Sequence, residues 1–381
     1  MFIYKISHAF SSFIKKNSSP YEMNQCQQFK KVPNYSLAKN AIILFSVFSV
    51  LATSLFSVNA LEVNEPQLNT NILIQKAWDS FSKNDKEWIE YDISSFDDIY
   101  GINQKRIGVV AELKGPSSEG YAIILIKENL SLVVEASKEI PSPYKKVLKN
   151  QKYYIYPFGY FSKMKQSFIN LSTGRIESPE KASLSDPASF NVILRSVPSQ
   201  TKYLLNYTSW FEKTGQHNSY SCVPTSFAMT FKYLHNRGRL TLSGGMDNIN
   251  TAKIKLYDIM KNSAGLCREN NISNGVSTFG NLYSNKSLST NLNQNCIFST
   301  AVSEINSSFP VVLLFNGGTP NMYSVNHATT MVGYKNNVDS FGNITASYAI
   351  VVDPGSGSGV TKTMAWSNQY LYGYYILTVG Y

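Results

Sequence analysis

Cys222 follows Gln216-His217-Asn218-Ser219-Tyr220-Ser221 and opens the run Cys222-Val223-Pro224-Thr225-Ser226-Phe227-Ala228-Met229. A thiol attacks a carbonyl carbon only as the thiolate, so a cysteine that does such chemistry needs surroundings that favour the anion. A helix N-terminus is one such setting, because its unpaired amides and macrodipole stabilise negative charge. Pro224 suits a first helical turn, where its missing N–H costs nothing. Phe227, Ala228, Phe231 and Leu234 then recur at helical spacing. The pattern predicts a helix from Cys222 to about His235 that buries one apolar face and leaves Cys222 at its exposed tip. The plain alternative is a small buried core cysteine.

Nucleophilic catalysis also needs a base, a group to orient it, and donors for the developing oxyanion. Three histidines lie beyond residue 60. His217 falls in an expected loop, and His235 lies at the far end of the helix, about 20 Å away at 1.5 Å per residue. His327 begins Ala328-Thr329-Thr330-Met331-Val332-Gly333-Tyr334, a strand start where an imidazole can face a cleft, and it is the expected base. Asp353 closes the strand-like Ala349-Ile350-Val351-Val352 ahead of the turn signal Pro354-Gly355. If the two strands are neighbours, Asp353 can hold the imidazole; Asn326 and Asp339 are the alternatives. Gln216, six residues before the cysteine, can offer its amide N–H to the oxyanion together with the backbone N–H of Cys222. Taken singly, a glutamine is a surface residue and an Asp-Pro-Gly is a turn; the combination and order give them meaning.

The elements around these residues divide the chain. Residues 40–60 carry no charge, follow Lys30, Lys31 and Lys39, and end Val58-Asn59-Ala60, with small residues where a signal peptidase reads. Residues 1–60 are therefore expected to be a leader, with Met23 as an alternative start and an uncleaved membrane anchor as the alternative fate. Either outcome leaves residues 61–381 outside the cytoplasm, secreted or extracytoplasmic. A small α+β unit is expected over 61–185. It holds a helix near 75–90 and strand-like runs at Arg106–Ala111, Gly120–Ile126 and Leu130–Glu135, then the aromatic stretch Lys152–Tyr160. Residues 186–204 read as a linker. The second unit, 205–381, has helical patterns first (to about His235, then Ala252–Lys261). Strands follow at Pro310–Phe315, His327–Tyr334, Tyr348–Asp353 and Tyr374–Val379, an α+β layout.

Charge and cysteine usage narrow the function classes. The formal charge is +10, but the first 60 residues hold six lysines and one acid, so the remainder carries about +5, spread rather than clustered. That is a generic basic surface rather than a nucleic-acid footprint. Export makes a Cys267–Cys296 disulfide available and leaves Cys222 unpaired, with Cys26 in the leader. The alternative is that all three later cysteines are free and buried. No zinc spacing, P-loop or dinucleotide fingerprint occurs, so no cofactor or metal is expected.

Gln216-x5-Cys222-x-Pro224-Thr225-Ser226-x-Ala228-Met229, then His327-Ala328-x3-Val332-Gly333-Tyr334, then a strand ending Asp353-Pro354, resembles the papain-like cysteine peptidases. The likeness is to the bacteriocin-processing (double-glycine) peptidase-like domains, with streptopain-type enzymes as relatives, and covers about residues 205–381. It implies a papain-like fold, a helix carrying the cysteine and an antiparallel sheet carrying histidine and aspartate. It also implies Cys222 as nucleophile, His327 as general base and acid, Asp353 as orienter and Gln216 as oxyanion donor. Peptide or protein would be the substrate. Transamidation, deamidation and a catalytically silent binding module are the rival readings. Such domains usually carry glycine after the cysteine, where this chain has Val223, and no transporter membrane bundle follows. The unit over 61–185 distantly resembles regions that precede secreted bacterial peptidases, which implies a propeptide or a docking module packed on the peptidase domain.

Overall fold

The computed structural model describes residues 70–381 apart from 84, 102, 157, 173, 178–199, 294–297, 316–326, 339–343, 356, 367–370 and 380–381. The expected leader, with Cys26 and Met23, lies outside the described residues, as do Cys296, Asn326 and Asp339. Among the described residues no helix is long and apolar enough to cross a membrane.

Apolar stripes at helical and strand periods generate a mixed α+β chain with a large sheet and several helices. The first helix, α1 (Thr70–Ser82), buries Leu73, Ile74, Ala77, Trp78 and Phe81. It starts earlier than residue 75 because Leu73 and Ile74 already belong to its apolar face. Strands β1 (Asp92–Tyr100), β2 (Arg106–Lys114), β3 (Glu119–Lys127) and β4 (Leu130–Ser137) follow as antiparallel neighbours. The inner three are buried along nearly their whole length, so they read as continuous apolar runs. The aromatic stretch forms β5 (Lys152–Ile155) and β6 (Gly159–Met164), continued by β7 (Ser167–Asn170) and β8 (Ile176–Glu177).

Strand β9 (Gln200–Tyr203) lies at the end of the segment expected to be a linker and pairs with β12 (His327–Val338). A short helix α2 (Tyr207–Trp210) leads to α3 (Cys222–Asn236), α4 (Ile249–Met260) and α5 (Glu269–Tyr283). The polar composition of 236–300 conceals α5, yet Ile272, Val276 and Phe279 recur at i, i+4 and i+7 and are fully buried. Phe279 stacks on Phe231 of α3 at 5.4 Å, which locks the helices together. Then come β10 (Leu288–Asn293), α6 (Phe298–Asn306), β11 (Val311–Phe315), β12, β13 (Ile344–Asp353), β14 (Val360–Ala365) and β15 (Leu371–Val379).

The sheet runs β10-β15-β11-β12-β13-β14-β4-β3-β2-β1-β5-β6-β7-β8. Two features of this order matter to the site. Strands β12 and β13 are antiparallel neighbours, with Thr330 opposite Val352. Strand β14 pairs on its other side with β4, with Thr363 opposite Ala136 and Met364 opposite Glu135. One sheet thus runs from the N-terminal strands into those that carry His327 and Asp353.

Candidate active site

Cys222 is the first residue of α3, and the turn before it is tightly bonded. Ser221 is fully buried; its Oγ accepts from the Asn218 N–H and donates to the Asn218 carbonyl, both at 2.9 Å. The Asn218 Oδ1 accepts in turn from the Tyr220 N–H at 2.9 Å. Val223, Phe227, Ala228, Phe231 and Leu234 are buried, and α3 packs on β11 and β12. Burial of that face fixes the helix against the strand that begins with His327. The ring of His327 is bonded on one side, where Nε2 lies 2.6 Å from Asp353 Oδ1, and Cys222 is near enough to act on the charge of the ring. With Nε2 turned to the carboxylate, Nδ1 remains for the thiol.

Asp353 is buried and closes β13. Its Oδ1 also accepts the Gly355 N–H at 2.8 Å. A Cβ on Gly355 would sit 3.0 Å from that oxygen and 3.3 Å from His327 Cε1, so a side chain at this turn would press on both the carboxylate and the ring. The Asp353 Oδ2 receives Lys362 Nζ at 2.7 Å, from a lysine buried on β14. Burial would push the Asp353 carboxyl up, but the Lys362 ammonium and His327 hold it well below the usual carboxylate range. For His327 burial alone would disfavour the imidazolium; Asp353 outweighs it, with a smaller contribution from Cys222, and the ring is raised from 6.5 to about 10.

Gln216 is brought to the same place. Its N–H donates to the Pro354 carbonyl at 2.8 Å, so its segment rests on the turn that follows Asp353. The approach depends on Gly215, where a Cβ would lie 1.7 Å from the Gly357 carbonyl oxygen. Lys253 of α4 pins the segment from the other side, donating to Thr214 Oγ1 at 2.9 Å and the Gly215 carbonyl at 2.8 Å.

The other candidate histidines lie elsewhere. His235 accepts the Leu242 N–H on Nδ1 at 3.3 Å and ties the end of α3 to the following loop. The exposed His217 ring lies against Tyr257. Cys267, expected to pair with Cys296, carries a free thiol close to Cys222, and burial, with a smaller contribution from Cys222, pushes it up to about 12. Among the described residues no cluster of histidine, cysteine and carboxylate side chains could hold a metal ion.

Three residues of the surroundings were not anticipated. Lys362 lies on the same strand face as Val360 and Met364, and Glu135 follows the apolar run Leu132-Val133-Val134 across a bulge in β4. A charge within an apolar strand run is the signal that could have found both. Phe158 is buried against the His327 ring at 6.2 Å and Phe315 at 5.4 Å. Its φ of 61° is an uncommon conformation for a bulky side chain.

Together, a thiol at a helix N-terminus, an imidazole beside it, a carboxylate behind the imidazole and an amide-bearing segment alongside can perform acyl transfer. Among curated proteins no match to the chain was found. Residues 205–379 match the model of the Peptidase_C39 like family, and this match supports a papain-like C39 cysteine peptidase domain over that segment.

Proposed function

We propose that the chain is an exported cysteine peptidase that hydrolyses peptide amide bonds through a thioester. The observation that carries this reading is the buried His327–Asp353 pair beside Cys222, with the thiol at the N-terminus of α3. Residues 61–185 form an N-terminal unit and 205–381 the catalytic unit in this reading. The uncharged leader segment 40–60 supports an extracytoplasmic setting.

The Cys222 sulfur, with the proton held on His327, adds to the scissile carbonyl carbon and the carbonyl oxygen becomes an oxyanion. The Gln216 amide and the Cys222 backbone N–H serve as its donors; one such donor is commonly worth about 10²–10³ in rate. The imidazolium gives its proton to the amine nitrogen as the C–N bond breaks, leaving an S-acyl enzyme. Water then adds to the thioester and its proton passes to His327. The C–S bond breaks, and the carboxylic acid and the thiol are restored. Asp353 holds the ring and stabilises its charged form throughout.

The test is to incubate a peptide library with the full-length chain and sequence the new N-termini by mass spectrometry. New N-termini with wild type and none with Cys222→Ala or His327→Ala support backbone hydrolysis. Ammonia release without chain cleavage would overturn it in favour of deamidation.

A further inference from the structure

Behind Asp353 the buried polar chain continues into the N-terminal sheet. Lys362 donates to Asp353 Oδ2 at 2.7 Å and to the Tyr160 hydroxyl at 3.0 Å, and lies 3.9 Å from Glu135 Oε1. Glu135 is fully buried on β4. It accepts hydroxyls from Tyr121 at 2.6 Å, Tyr154 at 2.8 Å and Tyr160, a donor set suited to a carboxylate. The ammonium of Lys362 also lies over the rings of Phe158 and Tyr160, at 4.6 and 5.0 Å. Phe158, from the turn between β5 and β6, lies 6.2 Å from the His327 ring. A further contact from that half reaches the nucleophile turn: the Arg175 guanidinium lies 4.6 Å over the Tyr220 ring, two residues before Cys222.

A buried ammonium opposite a single carboxylate would leave Asp353 half-neutralised and less able to hold an imidazolium. Glu135 supplies the second carboxylate. The row Glu135, Lys362, Asp353, His327, Cys222 alternates in sign when the thiolate–imidazolium pair forms. Each oxygen of Asp353 is also assigned, one to lysine and one to histidine, so the carboxylate cannot rotate off the ring.

We infer that Glu135 and Lys362 are positioning residues for the catalytic centre, so that the N-terminal sheet is a working part of it rather than a detachable cover. This rests on the reading of Cys222, His327 and Asp353 as nucleophile, base and orienter. The titratable groups around His327 are Cys222 from α3, Asp353 from β13, Lys362 from β14, Glu135 from β4 and Tyr160 from β6. Of these, Glu135 and Lys362 act on the ring only through charge and through Asp353.

That separation makes the test one of sign. The full-length chain, with 13C-labelled histidine, is titrated by NMR, and His327 is identified by its loss in His327→Gln. Removing the distant anion in Glu135→Gln lowers the imidazole titration by on the order of one pH unit, as expected for a charge about 10 Å away at an effective dielectric near 20. Removing the cation in Lys362→Met raises it. The double variant, which removes the pair and so leaves no lone buried charge, returns it close to wild type. If Lys362→Met does not fold, Glu135→Gln and the double variant carry the same comparison. A merely structural role would leave the double variant at least as disturbed as either single one. That result, or a titration unmoved by Glu135→Gln, overturns the inference. Labelling of wild-type Cys222 by a peptidyl electrophile runs in parallel. Its absence overturns the catalytic reading, whereas labelling with an unmoved titration overturns the charge-balance inference alone.

Discussion

Replacing Asp353 by asparagine keeps the shape of the side chain and removes its charge, and the effect on His327 can be worked from the contact itself. With Nε2 and Oδ1 at 2.6 Å, the centres of charge lie about 4 Å apart, and at an effective dielectric near 20 their attraction is about 4 kcal/mol. That corresponds to roughly three pH units on the imidazole, in accord with a ring raised from 6.5 to about 10. In Asp353→Asn burial is opposed only by the smaller contribution of Cys222, and the buried Lys362 ammonium adds repulsion. The imidazole should then titrate at or below its ordinary value. NMR titration of the full-length chain reads this directly, because it has only four histidines: His8, His217, His235 and His327. A wild-type His327 that titrates near 6.5, or an asparagine variant that leaves it near 10, would refute the electrostatic account.

Three further outcomes are expected. Gly215→Ala forces a Cβ to within 1.7 Å of the Gly357 carbonyl oxygen; it should destabilise the protein by about 1–3 kcal/mol and slow peptide hydrolysis by up to about 10²-fold as Gln216 is displaced, read by urea melts and kcat/KM. Stability should depend on pH in two directions. Asp353, depressed in the folded chain, contributes above its ordinary value of 3.8 and loses that contribution as pH falls. His327, raised in the folded chain, contributes fully below 6.5 and loses that contribution as pH rises through about 10. Urea midpoints should therefore be highest between about pH 4 and 6.5, with both flanks flattened in Asp353→Asn. Finally, the Cys267 thiol, pushed up to about 12, should resist iodoacetamide at pH 7.5 in the native chain and react once urea exposes it.

The helix at Cys222 was legible because an apolar face of period 3.6 and a proline in its first turn are local signals. The strand beginning at His327 and the one ending at Asp353 were legible through β-branched runs, and so was the α+β class. Lys362 and Glu135 were not, because their meeting depends on β14 pairing with β4 more than 200 residues away in sequence. Local composition misled at α5, where asparagine and serine on the outer face hid the spacing of Ile272, Val276 and Phe279. Gln200–Tyr203 reads as linker because its β partner is β12, remote in the chain. The bonding of Ser221 and Asn218 under the nucleophile follows from side-chain geometry that composition does not encode.

The central claim is that His327 activates Cys222, and covalent labelling tests it most directly. The full-length chain is treated at neutral pH with a peptidyl electrophile, and adducts are mapped by mass spectrometry in wild type, Cys222→Ala and His327→Ala. The account predicts one adduct on Cys222 in wild type, none with Cys222→Ala, and labelling slower by about 10²-fold or more with His327→Ala. A native Cys222 that stays unmodified, or one modified as fast without His327, would contradict it.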